Sequence, residues 1–245
     1  MRKNKTLLIL FSVLLIVGAL GSCAAVFKEK QDKIENPPSA EIVDFLSLTY
    51  VALGDSLTYG ADGIANNRME SPYPDLVRDT LHLKSVQNCG VAGDRVDEIY
   101  NRINTMEIGA NIVSFMGGTN DCYQSIPLGT IYDTDMTTFY GRLKLLTKAL
   151  LERYTDAFVF YMTPFKSARS AMLNGNENGD TLEDFAQAMM DVCALYDIPC
   201  LDLYHLCDFE IEMYLPESDG IHPSQEFIRE YTAPQIAEFI KENYK

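Results

Sequence analysis

The chain has 245 residues, 47% of them hydrophobic and 22% charged, with 35 acidic against 20 basic side chains and a formal net charge of −15. Length and apolar content support one buried core and are short for two. The acidic balance excludes a phosphate-neutralising nucleic-acid binder, which needs a basic stripe, and it opposes broad adhesion to anionic lipid.

The first residues stand apart from the rest. Arg2, Lys3 and Lys5 form a basic head, Leu7 to Leu20 is an apolar run, and Leu20-Gly21-Ser22-Cys23 follows. A basic start, an apolar stretch and small residues before a cut are the marks of an export signal, here residues 1–22. The tetrapeptide ending at Cys23 resembles a bacterial lipobox. That resemblance implies cleavage before Cys23, acylation of its sulfur, and a domain outside the cytoplasm on a membrane tether. The competing expectation is an uncleaved signal anchor, because Thr6 to Phe27 carries no charge and is long enough to span a bilayer. Loss of residues 1–22 removes three basic residues and no acidic one, which leaves a net charge of −18. Residues 23–47, with mixed charge and Pro37-Pro38, are expected to be a lipidated tether. Residues 48–245 are expected to be the folded domain.

Within that domain, short β-rich runs alternate with helical patterns. Residues 48–55 predict a strand. Residues 71–83 predict a helix with Ser71 as N-cap and Pro72 at its first position. A weaker strand follows at 85–91, then a helix at 94–106 with Val96, Ile99, Tyr100 and Ile103 at helical spacing. A strong strand covers 111–118, and a long helix covers roughly 135–153. The most apolar strand is 157–165, followed by a helix at 181–197 and a fifth strand at 198–204. Helical pattern runs from Pro223 to Tyr244, where Pro234 should kink it and Thr232 can cap the second part. Regular β-α alternation with near-continuous apolar strands predicts a three-layer α/β/α sandwich around a five-stranded parallel sheet. The expected order is 2-1-3-4-5, as in flavodoxin-like folds.

In such sheets, sites form at the carboxyl ends of the strands. Gly54-Asp55-Ser56 follows the first strand, Gly93-Asp94 the second and Asn120-Asp121 the third. With the expected strand order, a hydroxyl, a bare backbone N–H and a carboxamide meet at one place. Acyl transfer requires that set: a serine that a base can activate, and fixed donors for the developing oxyanion. The candidate donors are the N–H groups of Ser56 and Gly93 and the Asn120 amide. Three histidines are available for the base. His82 falls on a helix and His205 at the end of the fifth strand. His222 stands three residues after Asp219 in a Gly-containing turn, so a carboxylate can fold onto one ring nitrogen and leave the other to face Ser56. Its rate should therefore fall as acid protonates that imidazole.

The segments carrying these residues resemble the SGNH (GDSL) hydrolases, serine esterases and lipases on a flavodoxin-like sheet. GDSLTYG, GVAGD, GGTND and DGIHP match the family's blocks in order, between residues 54 and 223. The resemblance implies that Ser56 is the nucleophile, that Ser56, Gly93 and Asn120 form the oxyanion hole, and that Asp219 and His222 are acid and base. The GxSxG elbow of the α/β-hydrolases is absent. No metal or cofactor is expected, since neither CxxC nor HExxH spacing occurs.

Other residues carry plainer expectations. Asp55, Asp94 and Asp121 should brace the strand-end loops through backbone N–H groups. Tyr59 and Tyr123 either line the acyl pocket or pack. Cys122 should pack, and the pairing of Cys89, Cys122, Cys193, Cys200 and Cys207 is open. The loop at 164–180 carries Lys166, Arg169, Asn174 and Asn176, a polarity that suits a sugar or glycerol moiety. The expected activity is therefore carboxylic-ester hydrolysis, with deacetylation of extracellular or cell-wall carbohydrate as the favoured case. A lysophospholipase or thioesterase is the alternative, and a non-catalytic carbohydrate-binding relic of the fold is the third reading.

Overall fold

The computed structural model describes residues 43–63, 67–206 and 219–245. The export signal, Cys23, most of the tether and Cys207 lie outside the described residues. Five parallel strands pair in the order β2-β1-β3-β4-β5: β1 Thr49–Gly54, β2 Ser85–Gly90, β3 Ile112–Met116, β4 Phe158–Met162 and β5 Cys200–Leu201. This is the expected flavodoxin-like order, and it leaves β1 flanked by β2 and β3 at the point where the order reverses.

The strand pattern explains the layers. Val51, Leu53, Val113, Phe115, Val159 and Tyr161 belong to one continuous apolar cluster. Successive strand residues face opposite sides, so Tyr50, Ala52, Ile112, Met116, Phe160 and Met162, also buried, face the other layer. On the first side pack α3 (Val96–Asn101), α5 (Phe139–Arg153) and α7 (Leu182–Tyr196); on the second, α2 (Tyr73–Leu81) packs on α10 (Ala233–Asn243). The start of α5 is set by Thr138, whose side chain accepts from the Gly141 N–H. The start of α7 is set by a reciprocal cap between Thr181 and Asp184.

Short helices fill the loops at the site end: α1 (Ser56–Tyr59), α4 (Thr119–Tyr123), α6 (Ser170–Leu173), α8 (Leu203–Leu206) and α9 (Gln225–Phe227). Several boundaries differ from the sequence pattern for local reasons. The N-cap of α2 is Pro72 rather than Ser71, and it makes no side-chain capping bond. The predicted 94–106 helix divides into α3 and a 3-10 turn, Ile103–Thr105. The fifth strand keeps only two residues, because the chain turns into α8 and carries His205 onto that helix. The last helical region contains a π-helical turn, Ile228–Thr232, before Pro234 enters the first turn of α10. The chain is helical on both sides of this point, with the Ala233 N–H donating to the Ile228 carbonyl, and Pro234 is accommodated next to that widened turn; Thr232 makes no capping bond.

Gly90 shows how tightly the site end is packed. A Cβ at this position would collide with the Thr58 and Tyr59 backbone of α1, so the β2 terminus touches the short helix that Ser56 begins. Gly90→Ala is expected to destabilise the protein by about 1–3 kcal/mol through overpacking, seen as a lower midpoint in urea unfolding.

Candidate active site

Ser56 sits at the first turn of α1, directly after β1. Asp55 caps this helix: its Oδ1 accepts the Leu57 N–H at 2.9 Å. The tight exit from the strand presents Ser56 Oγ toward His222, whose Nε2 lies 2.7 Å away. The other ring nitrogen, Nδ1, lies 2.8 Å from Asp219 Oδ2. Asp219 Oδ1 accepts the backbone N–H groups of Ile221 at 3.0 Å and His222 at 3.1 Å. Burial acts to raise the Asp219 carboxyl pKa, but these N–H groups and the imidazole outweigh it and hold the carboxyl below its usual range. A carboxylate three residues before a histidine is thus fixed by its own turn and orients the ring.

The three candidate oxyanion donors come from separate strand ends. Among the described residues, the backbone N–H groups of Ser56 and Gly93 donate to no protein acceptor. Gly93 has φ +88, and a Cβ there would meet nothing within 4 Å. The glycine therefore serves a left-handed backbone beside open space, where a reacting group can approach. Asn120 Nδ2 donates to the Asp94 carbonyl at 2.9 Å, which fixes its carboxamide and ties the third strand end to the second.

The other histidines are placed elsewhere. His205 Nδ1 lies 2.7 Å from Asp202 Oδ2 and its Nε2 3.2 Å from Glu183 Oε1. The Glu183 bond, foremost, raises its pKa. Both of its ring nitrogens are thereby engaged away from Ser56. His82 caps the end of α2 in a left-handed conformation.

Asp55 and Asp121 brace their loops through backbone N–H groups as expected, whereas the Asp94 carboxylate accepts from Arg102 Nε at 2.6 Å. Asp121 Oδ2 accepts the Val96 N–H at 3.0 Å, and its Oδ1 lies 2.9 Å from Arg142 Nη1. Burial raises this carboxyl to about 6, against the pull of the Val96 N–H and Arg142. Asp55 lies wholly buried with Oδ2 unpartnered. Burial lifts it to about 7, with Asp121 and Asp94 adding repulsion. Cys122 is buried core, and burial pushes its thiol up to about 12, which makes it a poor nucleophile. Cys89, Cys122, Cys193 and Cys200 are free thiols.

Tyr59 and Tyr123 remain exposed rather than entering the core. Arg68 lies over the Tyr59 ring at 4.9 Å, and Arg169 over the Tyr123 ring at 5.4 Å. Much of the polarity of the 164–180 loop is spent inside the protein. Asn176 Nδ2 donates to the Cys122 carbonyl at 3.1 Å, and Asn174 Nδ2 to Ser170 Oγ at 3.1 Å. Ser167 Oγ and the Ala168 N–H both donate to the Gly220 carbonyl at 2.8 Å, and Arg169 Nε donates to the Asp219 carbonyl at 2.8 Å. This loop latches the turn that carries Asp219 and His222. Neither Ser167 in that role nor Arg102, whose guanidinium donates to Asp94 Oδ2 and to the Cys89 and Gly54 carbonyls, stands in a recognisable motif. The one available signal for Arg102 was an arginine three residues beyond the core-facing Ile99.

A parallel α/β sandwich whose first strand runs into a serine bonded to a histidine–aspartate pair has the architecture of the SGNH-type hydrolases. The chain matches the GDSL-like Lipase/Acylhydrolase family over residues 52–227 and belongs to it. Among solved structures, a Lactobacillus plantarum protein shares 23% identity at a TM-score of 0.72, over 81% of this chain and 99% of that one. A possible lipase from Chitinophaga pinensis shares 24% at a TM-score of 0.65, over 80% and 98%. A carbohydrate acetylesterase family member from Sinorhizobium meliloti shares 18% at a TM-score of 0.55, over 79% and 99%. At these identities the likeness speaks for the fold alone. No curated protein matches the chain.

The buried acid beside Ser56 gives a test of the site's electrostatics. The folded pKa of Asp55, about 7, lies above its ordinary 3.8. Its favourable contribution is therefore complete below pH ~4 and is lost as pH rises through about 7. Asp55→Asn keeps an acceptor for the Leu57 N–H and removes the ionisation. Between pH 5 and pH 8 the variant should lose roughly 1–3 kcal/mol less stability than the wild type. Urea unfolding at the two pH values reads this, and parallel losses in both proteins would contradict it.

Proposed function

We propose that the protein hydrolyses carboxylic esters through an acyl-enzyme on Ser56. The observation that carries this reading is the unbroken line Asp219 Oδ2, His222, Ser56 Oγ, with contacts of 2.8 and 2.7 Å. In the forward step, Ser56 Oγ attacks the ester carbonyl while His222 Nε2 takes its proton. The carbonyl oxygen becomes negative and is held by the Ser56 and Gly93 N–H groups and the Asn120 amide. Collapse breaks the bond to the alcohol, which leaves with the proton from His222. Water then repeats the sequence on the acyl-serine, releasing the acid. Asp219 keeps the imidazole in the useful tautomer and stabilises its charged form. Losing one oxyanion donor typically costs about 2.7–4 kcal/mol of barrier, so Asn120→Ala should impair turnover strongly but less than Ser56→Ala.

The substrate in this reading is a short acyl ester of a polar alcohol, with an O-acetylated extracellular carbohydrate as the favoured case. Support comes from the open space at Gly93 and from Tyr59 and Tyr123, which stay exposed at the site end with Arg68 and Arg169 over their rings, a polar surround suited to a polar alcohol. A carbohydrate acetylesterase family member shares the fold. Fluorophosphonate should label wild-type protein and fail on Ser56→Ala, whose turnover of p-nitrophenyl acetate should fall by 10³-fold or more. Equal rates in the two proteins would end the serine mechanism. A steep preference for acetyl over long-chain esters supports the carbohydrate reading, and the reverse order selects the lysophospholipase or thioesterase reading. Glycan binding without labelling would revive a non-catalytic role.

In this reading the activity lies outside the cytoplasm on a lipid anchor at Cys23. Among the described residues, no helix is long and apolar enough to cross a membrane, so the proposal rests on the leader's own sequence. Cells fed an alkyne-tagged palmitate should label the protein, and Cys23→Ala should abolish the label. Membrane retention without any label would select the uncleaved anchor instead.

A further inference from the structure

The geometry points to Arg102 as the positioning residue of the oxyanion hole, an inference that rests on the ester-hydrolase reading above. Arg102 stands just past α3, away from the Ser56–His222–Asp219 line, and its guanidinium is used in three directions. Nε donates to Asp94 Oδ2, Nη1 to the Cys89 carbonyl and Nη2 to the Gly54 carbonyl, each at 2.6 Å. The Arg102 and Asp94 side chains are 19% and 16% exposed, so solvent supplies little of this bonding.

Each of the three acceptors leads to one oxyanion donor. Gly54 lies at the end of β1, two residues before the Ser56 N–H. Cys89 lies near the end of β2, and the turn that leaves it is closed by the Asp94 N–H on the Val91 carbonyl at 3.3 Å. Asp94 follows Gly93 directly, and its own carbonyl accepts the Asn120 amide at 2.9 Å. One rigid fork therefore sets the level of the Ser56 N–H, the Gly93 N–H and the Asn120 Nδ2. Gly54 and Cys89 present carbonyls at the carboxyl edge of the sheet; the Gly54 carbonyl also accepts the Val91 N–H at 3.1 Å, so Arg102 adds a second bond to a pair that already joins the ends of β1 and β2. A planar guanidinium meets two such carbonyls and a carboxylate together. A lysine ammonium is a point charge on a flexible stem and does not reproduce that geometry. Because Asp94 balances its charge, Arg102 acts through the placement of donors rather than through a net field at the oxyanion.

A residue that places transition-state donors should lower kcat and spare KM. Its effect should also depend on the donors being present. The test compares Arg102→Lys, Asn120→Ala and the double variant on p-nitrophenyl acetate, with thermal unfolding followed in parallel. Arg102→Lys is expected to lower kcat roughly tenfold to 100-fold with KM within about twofold, set against the 10²–10³-fold typical of losing one whole donor. In the Asn120→Ala background the same substitution should cost clearly less, because part of what it disturbs is already gone. An equal fractional loss in both backgrounds would overturn the inference. So would a lower melting temperature with normal kcat per labelled active site. Should Arg102→Lys fail to fold, Asp94→Asn serves instead. It keeps the side chain's size and the carbonyl that Asn120 uses while removing the ion pair, and it should show the same kcat loss and the same coupling. Wild-type protein that fluorophosphonate does not label would sink the ester-hydrolase reading itself. Labelling together with additive losses would sink only the role of Arg102.

Discussion

Three neighbouring parallel strands must end level, and the site depends on that constraint. Gly54 of β1 is in register with Gly90 of β2 on one side and with Met116 of β3 on the other. Parallel pairing fixes strand direction and, through the buried alternation of side chains, fixes register to the residue. Ser56, the turn at Gly93 and Asn120 therefore leave the sheet from one edge, within a few residues of a shared starting line. Only His222 and Asp219 must be brought from far along the chain, and the Ser56–His222 bond joins residues 166 positions apart.

Beneath that edge lies a layer of buried polar groups. Arg142 Nη1 stands 2.8 Å from Asp97 Oδ1 and 2.9 Å from Asp121 Oδ1, tying α5 to α3 and α4. Arg102 and Asp94 tie the ends of β1 and β2. On the second face, the Tyr50 hydroxyl and Ser114 Oγ are 2.6 Å apart, and Thr58 Oγ1 is 3.1 Å from the Tyr73 hydroxyl. Buried ion pairs seldom add net stability, because desolvation offsets their attraction. Here Arg142–Asp121 connects the helix that carries Asn120 to α5, and Arg102–Asp94 connects the turn of Gly93 to the end of α3. Asp55 shows the cost of this layer. It caps α1 through one oxygen while the other lies buried without a partner, so the first turn of the serine helix is held by a carboxyl that burial drives toward its neutral form.

The strands and helices of the parallel sheet were legible in the sequence because their signals are local, whereas the strand order is non-local and was read with the family resemblance. Runs such as 111–118 and 157–165 are apolar enough to be buried on both faces, and helical spacing separates them. The four blocks at 54, 90, 117 and 219 each carry a turn residue beside a reactive or hydrogen-bonding one. Less legible was whatever depends on a partner remote in sequence. The fifth strand looked seven residues long, yet Thr163 Oγ1 accepts the Tyr204 N–H at 2.9 Å and bonds Asp202 Oδ1 at 3.0 Å. Those two contacts favour a helical turn over a strand ladder. The polarity of the 164–180 loop was visible, but nothing in its composition says that Asn176 would spend its amide on Cys122. Arg102 was hidden for the same reason: its three acceptors lie 8, 13 and 48 residues away.

The two halves of the site therefore have different mechanical support. Ser56 and the three candidate donors rest on the sheet edge, where Gly90 packs against the backbone of α1 and Arg102 bonds Asp94 and two strand-end carbonyls. Asp219 and His222 rest on a turn that is latched from outside the sheet by Ser167, Ala168 and Arg169. A packed sheet edge resists small shifts, since interiors at close-packed density transmit strain rather than absorb it. A loop held by a few hydrogen bonds opens locally at far lower cost. Changes in the 167–169 segment act on the alignment of the base while leaving the serine and the donors in place. Changes at the β1 and β2 ends act on the donors while leaving the histidine–aspartate pair intact. Under the proposed mechanism, that division separates the contacts that align the base from the contacts that place the donors.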